Sequence, residues 1–245
     1  MEIRAGVIDI HTHVLPRMDD GSKNTEMSVR MLQILRSMQV TTVVATPHYY
    51  GHRESVDSFL ERREGSWQRL KEHVADGLPE IRLGAEVAFG SRLLEEPKLD
   101  SLCISGTRTL LLEMPFSQWS EMELNVVSSL CLDRNYQVIL AHLERFVDLQ
   151  EKSDIMNRIL QLPLYIQINA EAILPRFKRK QWVDMFRNGQ AHLLGSDCYN
   201  LTSRAPNLKL ARDILSRKIG EDCLRQIDAC GWGLLENSEV PVKEK

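Results

Sequence analysis

His11 and His13 flank a single threonine just beyond the apolar run 7–10. Residues two apart on an extended chain project to the same side, so both imidazoles can reach one cation. The same arrangement recurs along the chain. An ionisable or polar side chain stands at or just beyond each of six more short apolar runs: His48 after 42–46, Glu86 after 81–85, Glu113 after 110–112, His142 after 138–141, Asn169 after 164–168 and Asp197 after 192–195. Any one of these has an ordinary explanation. A loop histidine is commonly a satisfied structural group, and a carboxylate at the edge of a core is commonly matched by an arginine or lysine. Six of the seven ends carrying His, Glu or Asp is a pattern that chance and structure explain poorly. Asp9 shares the parity of His11 and His13 and either orients a ligand or caps the strand edge. The turn Asp19-Asp20-Gly21 adds two carboxylates, which ordinary turn chemistry would also explain.

A set of imidazoles and carboxylates without thiolates suits divalent Mn, Fe or Zn and argues against a structural zinc site. Several such cations lower the pKa of water, orient the attacking oxygen and neutralise a leaving oxygen, which points to phosphoester hydrolysis. A phosphoryl group also favours the planar fork of arginine. Arg145 and Arg204 follow two of the candidate ligands closely. Five widely scattered cysteines with no CxxC pair read as free thiols.

These side chains need a scaffold that brings strand ends together. The seven apolar runs alternate with helical patterns at 25–38, 56–76, 121–134, 152–162, 181–188 and 208–219. Strands alternating with helices pair in parallel through crossovers. In barrels of this type function sits at the C-terminal strand ends. An α/β fold closing as a distorted seven-unit (β/α) barrel is therefore expected over residues 1–237, with an open doubly wound sheet as the alternative and a flexible tail at 238–245. No run approaches the roughly 20 apolar residues of a membrane helix, and the N-terminus lacks a signal-peptide core, so no membrane insertion and a cytoplasmic location are expected. The formal charge of −3 gives no reason to expect a nucleic-acid partner.

Taken together, the stretches VIDIHTH (7–13), MDDGS (18–22), ATPHY (45–49), GAEV (84–87), LLLEMPF (110–116), LAHLER (140–145), YIQINA (165–170) and GSDCYN (195–200), with Arg204, resemble the polymerase-and-histidinol-phosphatase (PHP) superfamily. Within it they are most similar to the manganese-dependent bacterial protein-tyrosine phosphatases of capsule and exopolysaccharide clusters. The resemblance implies a TIM-like PHP barrel with two or three divalent metals, manganese first, iron or zinc next. It implies that His11, His13, Glu86 and Asp197 hold one metal. Glu86, Glu113 and His142 would hold a second, with Glu86 bridging, and Asp20 and His48 a third. Arg145 and Arg204 would grip the phosphate, and a metal-activated hydroxide would attack phosphorus. The implied partner is a phosphotyrosine protein, the tyrosine-rich tail of a bacterial tyrosine kinase; an oligomer is also compatible.

The family pattern has a histidine two residues after the last aspartate, where this chain has Tyr199. A neutral phenol is a poor ligand, so a weaker or differently built third site is expected. The spacing from Cys198 to Arg204 also matches C-x5-R of cysteine phosphatases, without the glycine-rich cradle that chemistry needs. Histidinol-phosphate or another small phosphomonoester is the alternative substrate. A metal-binding regulatory protein with reduced activity is the alternative outside full catalysis, and a phosphodiesterase acting on nucleic acid is disfavoured by the net charge.

Overall fold

Alternating short strands and longer helices shape the chain, as seen in a computed structural model that describes residues 6–150 and 154–236. The elements run β1 (Val7–Thr12), α1 (Thr25–Ser37), β2 (Val40–Ala45), β3 (His48–Tyr49), α2 (Val56–Lys71), β4 (Glu80–Leu83), β5 (Glu86–Ala88) and β6 (Thr109–Glu113). There follow α3 (Glu121–Ser128), β7 (Gln137–Leu140), α4 (Ile155–Ile159), β8 (Tyr165–Asn169), α5 (Ala170–Ile173), α6 (Arg179–Arg187), β9 (Leu193–Gly195), α7 (Leu208–Ile219) and α8 (Glu221–Glu236). Helix starts carry their expected signals. Asn24 caps α1 by accepting from the Met27 amide, and Ser120 with Glu123 forms a capping box on α3.

Every strand pairing is parallel, as crossover helices require. One sheet has the order β1-β2-β4 and the other β3-β5-β6-β7-β8-β9. Two contacts join them into one curled surface. On one side the Gly84 amide donates to Ala45 O (2.8 Å) and the Glu86 amide to Pro47 O (3.1 Å). On the other, Thr12 bridges Cys198 in parallel, and the Asp197 amide donates to His11 O (2.9 Å). The described strands number nine rather than the seven expected, because two of the runs are interrupted. Pro47 cannot donate to a ladder and separates β2 from β3, and the 84–85 step separates β4 from β5.

Other boundaries also moved. Helix α2 stops at Lys71 rather than at 76, and α3 passes into a π-turn at Ser129–Asp133. The helix expected over 152–162 is reduced to α4; its first two positions and the tail at 238–245 lie outside the described residues.

Helix α8 was not anticipated. Its last turns contain Gly231 and Gly233, which weaken helix propensity and mask the pattern. A Cβ on Gly231 would lie 3.2 Å from Ile8 Cδ1, so glycine there lets α8 sit close against β1. Trp232, Leu234 and Leu235 of this helix pack onto Ile8, Ile10, Val44, Leu111, Ile139 and Leu193 from five strands. Trp232 Nε1 donates to Gly6 O (3.0 Å), and Thr109 Oγ1 donates to Leu234 O (3.0 Å). Gly6 and Thr109 lie where β1 and β6 begin. Helix α8 therefore closes the end of the sheet where strands start, opposite the end where the candidate residues stand. Truncation of the fully buried Leu234 to alanine is expected to cost about 2–5 kcal/mol of stability in urea unfolding. A loss under about 1 kcal/mol would show that α8 is not integral to the core.

Candidate metal centre

The register of the sheet brings the candidate side chains together. His48 and Glu86 open the short strands β3 and β5 and are partners in register, so their side chains are neighbours. Glu113 ends β6 and pairs with Ala88. Beyond β7, His142 adopts a left-handed backbone (φ 33°), and beyond β9 Asp197 does the same (φ 50°). Such conformations are costly for non-glycine residues and concentrate at functional sites. Gly195 is sterically required, since a Cβ there would lie 2.8 Å from His11 Cβ.

Glu86 is the hub. Its Oε2 lies 3.3 Å from His11 Nε2, 3.3 Å from His13 Nε2 and 2.9 Å from His48 Nδ1. Its Oε1 lies 2.6 Å from His142 Nε2, which is 3.6 Å from Glu113. Asp197 Oδ1 faces His11 Nε2 and His13 Nε2 at 3.5 and 3.4 Å. Glu86 Oε2 and Asp197 Oδ1 are both buried, yet neither accepts a hydrogen bond. Leaving such oxygens unpaired is expensive. Atoms about 2.1 Å from a shared cation lie about 3.4 Å apart in a tetrahedral arrangement, close to the spacings seen here. Three overlapping ligand groups result: His11–Glu86–His142, His11–His13–Asp197 and His13–His48–Glu86. The residues present fit divalent cations on both donor chemistry and spacing.

Not every expected residue joins this cluster closely. The Asp20 carboxylate is 74% exposed and lies 3.7 Å from His48 Nε2. That nitrogen is engaged instead by the Tyr199 hydroxyl at 2.7 Å. Tyr199 is buried, stacks on His13 at 3.9 Å and carries the Arg204 guanidinium 3.5 Å above its ring. Burial, then the Glu86 and Asp197 charges, push its phenol upward, so it stays neutral. Arg145 and Arg204 both donate to Asp197 Oδ2, at 2.6 and 2.5 Å, and their side chains remain 30 and 28% exposed. Cys198 is fully buried, and burial pushes its thiol up, so C-x5-R chemistry has no thiolate here.

Asp9 does not bond an imidazole. It accepts from the Ser196 amide (2.8 Å) and so fixes the loop that carries Asp197, and burial raises its carboxyl to about 6. Three residues orient the ligands: Asp19 of the Asp19-Asp20-Gly21 turn, the strand-end Asn169, and Gln167, which the strand-end pattern does not mark. Asp19, next to Asp20, accepts from His13 Nδ1 (2.7 Å) and from the His48 amide (3.0 Å). Gln167 contacts His11 Nδ1 (3.2 Å), accepts from the His142 amide (2.8 Å) and donates to Asn169 (2.8 Å). Asn169 donates to Asp197 Oδ2 (2.7 Å). Gln167 shares the parity of Asn169 in β8, and that was the available signal. Such contacts fix ring orientation and tautomer in metal sites.

The charges of the cluster's own side chains balance one another. Burial pushes His11 and His13 down, but the facing carboxylates outweigh it: Glu86 and Asp197 raise His11, and Asp19 chiefly raises His13. Burial opposes ionisation of Glu86 and Asp197, and the imidazoles around them hold both below the usual carboxylate range. Glu113 lies outside this balance. Burial and the Glu86 charge raise it to about 7.

A family model for capsular polysaccharide synthesis, CpsB/CapC, matches residues 7–231. The chain belongs to the CpsB/CapC family. Among CpsB/CapC relatives, the tyrosine-protein phosphatase CpsB of Streptococcus agalactiae (serotype III strain NEM316) is 27% identical over 97% of this chain and 98% of its own length. The tyrosine-protein phosphatase YwqE of Bacillus subtilis strain 168 is 25% identical over 98% of each. A solved structure from the study of YwqE and of CpsB from Streptococcus pneumoniae, described as metal-dependent tyrosine phosphatases, superposes with a TM-score of 0.76. It has 21% identity and covers 95% of this chain and 92% of its own. The Escherichia coli phosphotriesterase homology protein shares the fold more distantly (TM-score 0.52, 10% identity, 94% and 99% covered).

Two outcomes follow for the CpsB/CapC site. Glu86→Gln removes the carboxylate that four imidazoles share, and Mn²⁺ retained after desalting should fall by at least half, with circular dichroism unchanged. Retention equal to wild type would remove Glu86 from the centre. Glu113 must lose its proton to ligate, and so must the raised His11 and His13. Cation affinity therefore falls as pH drops through 7, by about tenfold or more between pH 8 and 6. A calorimetric titration that is flat across that range would contradict this.

Proposed function

We propose that this chain is a metal-dependent phosphatase that hydrolyses phosphotyrosine in protein. The observation that carries the reading is the buried Glu86-centred set of imidazoles and carboxylates with two arginines at its open edge. His11, His13, Glu86 and Asp197 would hold one cation. Glu86, Glu113 and His142 would hold a second, and His48 with Asp20 a third and weaker one. We take manganese as the first choice, with iron or zinc as substitutes. When bound, the cations lower the pKa of water and neutralise phosphoryl oxygens.

This chain's own residues do the rest. Arg145 and Arg204 each present the unbonded part of a guanidinium to the phosphoryl oxygens, and that positive charge stabilises the negative charge of the transition state. Asp19, Gln167 and Asn169 keep the ligand side chains oriented before substrate arrives. Beside the cluster, Glu113 and Tyr50 border a cleft of about 720 Å³ whose walls include Phe89, Met114 and Phe116. Such walls suit an aromatic ring better than the chain of an aliphatic phosphoester. No side-chain nucleophile is assigned.

In scaffold terms the nine strands correspond to seven barrel positions of the PHP type, β2 with β3 and β4 with β5 each counting once, within one catalytic domain. The name of the family and of the relatives above supports a phosphoprotein of capsule assembly as the substrate, and a bacterial tyrosine kinase is the proposed partner.

Tyr199 favours one second reading, a metal-binding regulatory protein of low turnover, because it engages the His48 nitrogen that a third cation would need. The test is hydrolysis of a phosphotyrosine peptide with added Mn²⁺. Turnover is expected, with kcat/KM falling roughly 10²-fold in Arg145→Ala and in Arg204→Ala. Tyr199→His should raise Mn²⁺ affinity or rate. Turnover of histidinol phosphate but not of phosphotyrosine would overturn the substrate class, and bound metal without turnover of either would support the regulatory reading.

A further inference from the structure

Away from the metal cluster, cationic side chains gather on one flank. Arg176, Arg179, Lys180, Arg187 and Lys218 line an open groove of about 550 Å³ formed by α6, its leading loop and the end of α7, and Asp184 is the carboxylate among them. The whole chain carries a formal charge of −3, so this flank is a segregation of positive charge rather than a reflection of composition. Some of these cations are already engaged. Arg179 donates to Ile173 O (2.8 Å) and to Leu174 O, and Arg187 pairs with Asp184. Among the described residues, Arg176, Lys180 and Lys218 face no carboxylate within ion-pair distance. Helix α6 adds its own positive end, since Lys178 at its N-cap position makes no capping side-chain bond.

Phe177 stands within the basic run 176–180 that borders this groove. It follows Arg176, precedes Lys178 and is 83% exposed. A lone exposed aromatic is unremarkable by itself. An exposed aromatic within a basic run that borders a cationic groove has a specific use, because lipid surfaces reward both features at once. Acidic headgroups attract the cations, and the ring enters the boundary between headgroups and acyl chains. An acidic peptide would also satisfy the cations, and the vesicle test below separates it from a lipid surface.

We propose that this flank docks on an anionic bilayer surface, with Phe177 in the headgroup layer and Arg176, Lys180 and Lys218 facing acidic lipid headgroups. The contact is peripheral, since no helix among the described residues is long and apolar enough to cross a membrane. It lies near the catalytic end of the sheet. Lys178 bonds Asp148 (3.0 Å), three residues after Arg145, and α5, which leads into the loop, starts directly after Asn169. Docking there holds the metal centre close to substrates carried at the bilayer. The proposal is independent of which phosphoester the centre hydrolyses.

The test is sedimentation of the full, metal-loaded chain with vesicles of pure phosphatidylcholine or of phosphatidylcholine containing one-third phosphatidylserine. Binding is expected to the acidic vesicles alone and to be lost at high salt. Each surface cation contributes roughly fivefold in partitioning. The triple variant Arg176→Glu, Lys180→Glu, Lys218→Glu should therefore bind at least tenfold more weakly, and Phe177→Ala several-fold more weakly. Metal content and thermal unfolding of both variants should match wild type, which separates lost docking from lost folding. Equal binding to both vesicle types, no binding to either, or undiminished binding by the triple variant overturns the proposal. Tight binding to poly-glutamate without binding to acidic vesicles also overturns it and assigns the flank to an acidic protein partner.

Discussion

The carboxylate of Glu86, sunk among four imidazoles with one oxygen unbonded, is the constraint around which this molecule is arranged. Burying that many ionisable groups without a matching cation is costly, and an uncompensated buried charge costs several kcal/mol. The cluster's side chains balance one another by mutual attraction: His11 and His13 pulled toward the charged form, Glu86 and Asp197 held ionised. Divalent cations would complete that balance, because they satisfy the oxygens Glu86 Oε2 and Asp197 Oδ1, which accept no hydrogen bond and which His11 and His13 approach at 3.3–3.5 Å.

Much of the fold serves to hold this arrangement. Parallel strands deliver their C-terminal ends to one side, and the register of β3 against β5 places His48 next to Glu86. The bridge from Thr12 to Cys198 brings the last loop beside the first, which sets Asp197 facing His11 and His13. Strained backbone at His142 and Asp197 is tolerated because Gln167, Asn169 and Asp9 bond the surrounding loops. At the opposite end α8 fills the space between strand starts with Trp232, Leu234 and Leu235. One end of the sheet is thus closed with apolar packing and the other is left polar and open.

The strand-end histidines and carboxylates were legible in the sequence because each follows a short apolar run, and the period of a strand fixes the side a residue faces. His11 and His13 do point together, and six of the eight expected ligands meet within the three ligand groups. Glu113 approaches from the edge at 3.6 Å, and Asp20 remains at the surface. Asp19 and Asp20 are adjacent and chemically identical, so only the turn geometry distinguishes the orienting carboxylate from the exposed one. The pairing of Arg145 and Arg204 with Asp197 depends on loops whose paths no local pattern encodes. Helix α8 is not legible in the sequence because Gly231 and Gly233 interrupt its helical pattern. Tyr199 was visible as a departure, but its bond to His48 was not.

The most direct test of the central claim is an anomalous-difference map from crystals grown with excess Mn²⁺, collected at the manganese edge. The account predicts peaks within the groups His11–His13–Asp197 and His11–Glu86–His142, with Glu86 contacting more than one of them. Absence of any peak there, with an ordered site and Mn²⁺ in the crystal, would contradict it.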